Sequence, residues 1–134
     1  MIRTYSGGCH CGAVRFEAEI DLTSGTGKCN CSMCSKKRFW AAKIRPEQFR
    51  LLAGQPDLVD YQFNSKSVHH LFCRHCGIHS FHWADIPQAG GKYYCINVSS
   101  LDAVDVDELV AAPITYYDGR NNQWWLAPQE VRHL

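Results

Sequence analysis

Cysteine clustering constrains this chain of 134 residues more than any other feature, because seven of its eight cysteines stand in three short groups. The groups are Cys9-His10-Cys11-Gly12, Cys29-Asn30-Cys31-Ser32-Met33-Cys34 and Cys73-Arg74-His75-Cys76-Gly77. Cysteines two residues apart would strain a disulfide, given the separation that its geometry prefers. We therefore expect reduced, metal-ligating thiols rather than a disulfide framework.

Two of the groups resemble zinc knuckles, in which a pair of thiols on a tight turn is followed by glycine. Gly77 can take the positive φ that lets backbone amides face the sulfurs. The first pair requires a turn as well, because its side chains would point to opposite faces of an extended strand, and Gly12 permits that turn. The two pairs together predict a structural zinc, worth on the order of 10 kcal/mol of folding free energy. Its ligands would be Cys9, Cys11, Cys73 and Cys76.

The remaining group, Cys29, Cys31 and Cys34, leaves the fourth position of a tetrahedral metal either open or filled by a histidine. Cys95 follows two tyrosines in an apolar stretch and is expected to pack as a small buried side chain. Three thiolates more than neutralise Zn²⁺, which suits the binding of a soft substrate thiol better than hydrolysis. We expect a second, catalytic zinc here with an open fourth position, making two per chain. The histidine candidates are His10, His69, His70, His75, His79 and His82.

Charge is nearly balanced, at a net +1, so no global field would recruit nucleic acid or an anionic membrane. Residues 28–50 nevertheless hold seven basic side chains against one acidic. Lys36, Lys37 and Arg38 could offset the negative charge of a thiolate site and attract an acidic substrate, or form a solvated surface. The chain shows no signal-peptide pattern and no apolar run of membrane-spanning length, so we expect a cytoplasmic protein.

Hydrophobic periodicity predicts a mainly β domain spanning residues 1–134. Between Gly12 and Ile20, apolar and polar residues alternate and indicate a half-buried strand. A hairpin is predicted over residues 58–72, a helical turn over 45–49 and a short helix within 101–112. Residues 113–134 read as irregular and aromatic. We expect the tryptophans to pack in the core rather than to line a ligand site. They are Trp40, Trp83, Trp124 and Trp125.

The three cysteine motifs, read with Ala13-Val14-Arg15-Phe16, Ile78-His79-Ser80-Phe81 and Asn97-Val98-Ser99-Ser100-Leu101-Asp102, resemble the glutathione-dependent formaldehyde-activating enzyme family, which includes centromere protein V. The resemblance implies a small zinc-bound β-tent-like fold of several twisted antiparallel sheets with one or two short helical turns. It also implies a structural zinc on the four paired cysteines and a second zinc on the triplet, where glutathione would bind.

The activity that this resemblance implies is a carbon–sulfur lyase reaction, in whose reverse direction glutathione and formaldehyde form S-(hydroxymethyl)glutathione. Its partner would be a small glutathione-like thiol, and His79, His82 or Tyr93 could donate the proton to the aldehyde oxygen. The alternative is a non-catalytic zinc-stabilised module that binds a protein or a nucleic acid. The near-neutral charge and the lack of a basic tail make nucleic acid the less expected partner.

Overall fold

The computed structural model describes residues 1–134 and shows ten strands in two sheets. The strands are β1 (Arg3–Gly8), β2 (Arg15–Ile20), β3 (Thr26–Cys29), β4 (Ala41–Ile44), β5 (Phe49–Ala53), β6 (Leu58–Tyr61), β7 (Val68–Cys73), β8 (Phe81–Ile86), β9 (Gly91–Asn97) and β10 (Ile114–Tyr117). One sheet has the order β1-β2-β5, and the other has the order β10-β3-β4-β9-β8-β7-β6. All neighbouring strands are antiparallel except β3 and β10, which run parallel.

Helical structure is limited to α1 (Ser32–Lys37), α2 (Val106–Ala111) and short 3-10 turns. The mainly β fold with short helical elements is therefore as predicted. Neither α-helix is long and apolar enough to cross a membrane.

The core lies where the two sheets face each other, and β2 contributes its alternating face as predicted. Val14, Phe16, Ala18 and Ile20 are each at most 2% exposed. The ring of Phe16 lies 6.0 Å from that of Phe81 on the larger sheet. Burial of such side chains supplies the main driving force for folding.

The predicted hairpin is present as β6 and β7, and the predicted helix within residues 101–112 is present as α2. The irregular reading of residues 113–134 is wrong for Ile114–Tyr117, which form β10. Four residues give too short a pattern to show a period, and the strand is fixed by its parallel pairing with β3. This pairing sets Tyr117 opposite Cys29 and so brings the end of the chain to the three-thiol group.

The four tryptophans differ in burial, and Trp83 is half-buried outside the core cluster, with its ring 3.7 Å from that of His69. Trp40 packs against the core cluster and donates from Nε1 to Thr26 Oγ1 at 2.7 Å. Trp124 and Trp125 are 50% and 75% exposed, so the expectation of burial is wrong for both. They follow β10 in a segment outside either sheet, where no second layer covers them.

Candidate metal centres and the adjoining cleft

The four paired cysteines converge from two distant parts of the chain. Cys9 and Cys11 stand in the turn between β1 and β2, Cys73 ends β7, and Cys76 lies in the turn that follows. The four Sγ atoms lie within 4.8 Å of one another, and Cys11 Sγ is 3.6 Å from both Cys9 Sγ and Cys73 Sγ. A tetrahedral zinc with Zn–S bonds of 2.3 Å separates its sulfurs by about 3.8 Å. The four-thiol cluster therefore fits a zinc ion.

Both turns of this cluster direct backbone amides at sulfur. Gly12 and Gly77 have φ of 84° and 78°, a region that glycine enters without steric cost. The N–H groups of Val14 and His75 donate to the sulfurs of Cys9 and Cys73 at 3.2 and 3.4 Å. Such donors stabilise thiolates, which are the form that ligates metal. With four protein sulfurs the cluster has the donor set of a closed site.

The three-thiol cluster is local in sequence and also fits a soft divalent metal. Cys29 ends β3, Cys31 caps the N-terminus of α1, and Cys34 lies in that helix, with the three Sγ atoms within 4.8 Å of one another. The amides of Cys31 and Cys34 donate to the sulfurs of Cys29 and Cys31 at 3.3 and 3.4 Å. Hydrogen bonds from the thiols of Cys29 and then Cys34 lower the pKa of Cys31 to about 2. These donors favour the thiolate form of the central sulfur.

No histidine completes this second cluster, and neither does Cys95. Two of the candidate histidines are paired with carboxylates, since His69 Nδ1 lies 2.6 Å from Asp60 Oδ2 and His75 Nε2 lies 2.8 Å from Asp57 Oδ1. Cys95 is 8% exposed, and its burial raises its thiol pKa to about 12. Three sulfurs are therefore the whole protein donor set of the three-thiol cluster.

Asn30, between two of these cysteines, ties the cluster to the end of β10. Its Nδ2 donates to Asp118 Oδ1 at 2.8 Å, and its Oδ1 accepts from the Arg120 amide at 2.9 Å. Its own N–H donates to the Tyr117 carbonyl at 3.2 Å. Asn30 and Asp118 are both buried. We name Asn30, Asp118 and the Arg120 amide the asparagine clamp, and it holds the middle of the three-thiol segment.

Gly119 covers one side of Cys29. A Cβ atom at this position would lie 2.6 Å from Cys29 Sγ and 2.5 Å from the Trp124 ring. Only glycine therefore allows the chain to approach the sulfur so closely. Asn30, Asp118 and Gly119 were not predicted from the sequence, in which the one available signal was the position of Asn30 inside the motif.

A cavity of about 230 Å³ opens on the three-thiol cluster, and we call it the thiol cleft. A second cavity of about 490 Å³, lined mostly by polar residues of the C-terminal segment, shares His133 with it. Of the predicted basic run only Arg38 lines the thiol cleft, while Lys36 is exposed and Lys37 Nζ lies 3.0 Å from His70 Nδ1. The thiol cleft is lined by Lys28, Cys29, Cys34, Ser35, Arg38, Phe39, His133 and Leu134.

Buried histidines lie behind the thiol cleft. Phe39 lines it, and the Phe39 ring is 4.7 Å from that of His82, which in turn is 5.5 Å from His70. Burial lowers the pKa of His70 to about 4 and that of His82 well below its usual value. Both imidazoles are therefore neutral near pH 7. His82 Nδ1 is buried without a hydrogen-bond partner.

The other two candidate proton donors are placed differently. His79 is half-buried, its Nδ1 has no hydrogen-bond partner, and its ring lies 5.2 Å from Phe72. Tyr93 lies on β9 with Lys43 Nζ 4.3 Å from its ring centre. Neither residue lines the thiol cleft. Among the three candidates, His82 is the one that packs on a cleft residue.

The chain is similar to known proteins in both sequence and structure. Residues 4–118 match the family model described as glutathione-dependent formaldehyde-activating enzyme. The chain is also similar to a crystal structure of a Rhodobacter sphaeroides protein, at 34% sequence identity and a TM-score of 0.69, over 82% of this chain and 99% of that one. The matched family region ends at residue 118, so His133 and Leu134 of the thiol cleft lie beyond it.

Proposed function

This chain belongs to the glutathione-dependent formaldehyde-activating enzyme family, and from that membership we propose that it joins a thiol such as glutathione to a small aldehyde, as an S-(hydroxymethyl)glutathione synthase-like carbon–sulfur lyase. The observation that carries the proposal is a three-thiol cluster without a fourth protein ligand that borders a cleft. The single domain, residues 1–134, would act in the cytoplasm, where thiols stay reduced.

The two clusters are assigned different roles in this proposal. Cys9, Cys11, Cys73 and Cys76 would hold a structural zinc, because four protein sulfurs make the donor set of a closed site. Cys29, Cys31 and Cys34 would hold a second zinc, whose chemistry would be to favour the thiolate form of a substrate thiol. Both donor sets are soft sulfur ligands, which favour zinc over magnesium or calcium.

The reaction needs no oxidant or reductant. A carbon–sulfur bond forms between the thiol sulfur and the aldehyde carbon, the carbonyl π bond breaks, and the thiol proton ends on the oxygen. None of His79, His82 and Tyr93 lines the thiol cleft, so we assign the proton transfer to solvent in the cleft rather than to one of these side chains.

The proposal is tested by calorimetric titration of the zinc-loaded protein with glutathione. Wild type should bind, and Cys31→Ser should lose at least about tenfold in affinity, since one metal ligand is removed. Cys95→Ser, which changes a buried cysteine outside both clusters, is the matched control and should bind as wild type does. Formation of the thiohemiacetal from added formaldehyde is then followed by NMR.

Unchanged glutathione binding in Cys31→Ser would contradict the assignment of the three-thiol cluster as the active site. Absence of binding by the wild type with both metals loaded would favour the alternative, a non-catalytic zinc-stabilised module.

A further inference from the structure

Two cations of the thiol cleft already hold main-chain oxygens of this same chain. Arg38 Nη1 donates to the His133 carbonyl at 3.0 Å, and Lys28 Nζ donates to the Leu134 carbonyl at 3.3 Å. Both cations and both acceptor residues line the cavity that opens on Cys29 and Cys34. The cleft thus places two positively charged donors beside the three-thiol cluster, and each donor is hydrogen-bonded to a main-chain oxygen.

We propose that Lys28 and Arg38 form a carboxylate-binding subsite for an anionic thiol ligand, and that residues 131–134 occupy this subsite until the ligand displaces them. The inference rests on the proposed function, because it assigns the thiol of that ligand to the three-thiol cluster. It identifies the ligand class as a thiol that carries at least one carboxylate.

The backbone of Arg38 supports a dedicated role for its side chain. Arg38 caps the C-terminus of α1 in the left-handed conformation, at φ 51° and ψ 51°, with its N–H bonded to the Cys34 carbonyl. A non-glycine residue carries a steric cost in this conformation, and glycine is the usual choice at such a position. Strain of this kind is commonly retained where a side chain has a function.

Displacement follows from the relative strength of the two acceptors. Arg38 now donates to the neutral main-chain carbonyl of His133, whereas a ligand carboxylate would add attraction between opposite charges and could accept two parallel hydrogen bonds from the guanidinium. Arg38 and His133 are exposed, so the contact between them is exchangeable with water and contributes little to stability. Within the occupying segment, the Leu134 N–H donates to the Val131 carbonyl at 3.0 Å, so the segment forms a small turn that can leave as a unit.

The experiment compares glutathione with glutathione diethyl ester, which keeps the thiol and the peptide but has no free carboxylate. Affinities of the zinc-loaded protein are measured by calorimetry for wild type, Lys28→Gln, Arg38→Gln and a variant without residues 131–134. Lys36→Gln is the matched control. Lys36 lies on α1, the helix that Arg38 caps, but it is exposed and does not line the cleft. Zinc content and circular dichroism are checked for each protein.

Each cleft substitution should weaken glutathione about tenfold, which corresponds to one charge-assisted hydrogen bond. The ester should bind every variant within about twofold of wild type, as should glutathione in Lys36→Gln, because no such bond is lost. Removal of residues 131–134 should tighten glutathione by about three- to tenfold, since the internal competitor is gone.

Equal affinity of glutathione for wild type, Lys28→Gln and Arg38→Gln would overturn the subsite, and weaker glutathione binding by the shortened variant would overturn displacement. In either case, binding of the ester to wild type but not to Cys31→Ser would leave the proposed function standing. Failure of both thiols to bind wild type would remove the proposed function itself.

Discussion

The two thiol clusters share one donor chemistry but differ in how the chain builds them. The four-thiol cluster joins Cys11 to Cys73, 62 residues apart, and so connects the three-stranded sheet with the seven-stranded one. The three-thiol cluster is contained in six residues and depends on β10 and the asparagine clamp for its surroundings. A metal at the first therefore closes a long loop, whereas a metal at the second orders a short one. The difference predicts that only the first is essential to the fold.

The largest expected effect contrasts Cys73→Ser with Cys31→Ser. Cys73 is fully buried, and losing a structural zinc forfeits on the order of 10 kcal/mol, which is comparable to the whole stability of a domain. Cys73→Ser should therefore unfold, while Cys31→Ser should stay folded and bind one zinc instead of two. Circular dichroism and zinc analysis measure both outcomes. Equal unfolding of the two variants would show that the roles of the clusters had been wrongly divided.

The next effect concerns the asparagine clamp. Asn30→Ala removes the hydrogen bonds to Asp118 and the Arg120 amide, which fix the segment between Cys29 and Cys31. Removing a group that orients a metal ligand typically lowers metal affinity by about 10- to 100-fold. Competition with a chromophoric chelator should show this loss for one zinc and none for the other. Asn121→Ala, which removes an outer donor to the same Asp118, controls for general loosening. Equal weakening at both zincs would argue against a local role.

The sequence predicted which thiols the structure brings together, because the spacing within each motif is local and specific. It predicted the core face of β2 because alternation is a strong signal. It missed the asparagine clamp because the partner of Asn30 is 88 residues away, directly after β10, a strand that only pairing with β3 defines. It also overestimated the basic run, since the directions of Lys36 and Lys37 depend on the short helix and its left-handed cap. Tertiary pairing decided the first of these two features and local helix geometry the second.

A smaller effect is expected where the chain touches the three-thiol cluster most closely. Gly119→Ala places a methyl group 2.6 Å from Cys29 Sγ, and overpacking of this kind costs roughly 1–3 kcal/mol. The half-exposed Trp124 ring can move aside, so the sulfur bears only part of the strain. Zinc affinity at this cluster should fall by about tenfold. The midpoint of thermal unfolding should change little, because the four-thiol cluster is not touched. An unchanged affinity would show that Cys29 moves freely.

The smallest effect is a pH dependence of the free energy of unfolding, which arises from His70, a buried histidine behind the thiol cleft. Burial lowers the pKa of His70 to about 4, whereas an unfolded histidine titrates near 6.5. Between those values the unfolded chain binds more protons, so the free energy of unfolding must fall as the pH falls from about 6.5 toward 4.

His70→Asn should reduce the stability lost between about pH 6.5 and 4 by on the order of 1–2 kcal/mol, after allowance for solvent screening. Urea unfolding across that pH range measures this loss. His69→Asn, the same change at the neighbouring residue, controls for the loss of an imidazole as such. Zinc content is followed in parallel, because acid also protonates the thiols. An identical pH dependence in wild type and His70→Asn would mean that His70 is solvated in solution. The three-thiol cluster would then not differ from the four-thiol cluster by having buried, neutral histidines near it.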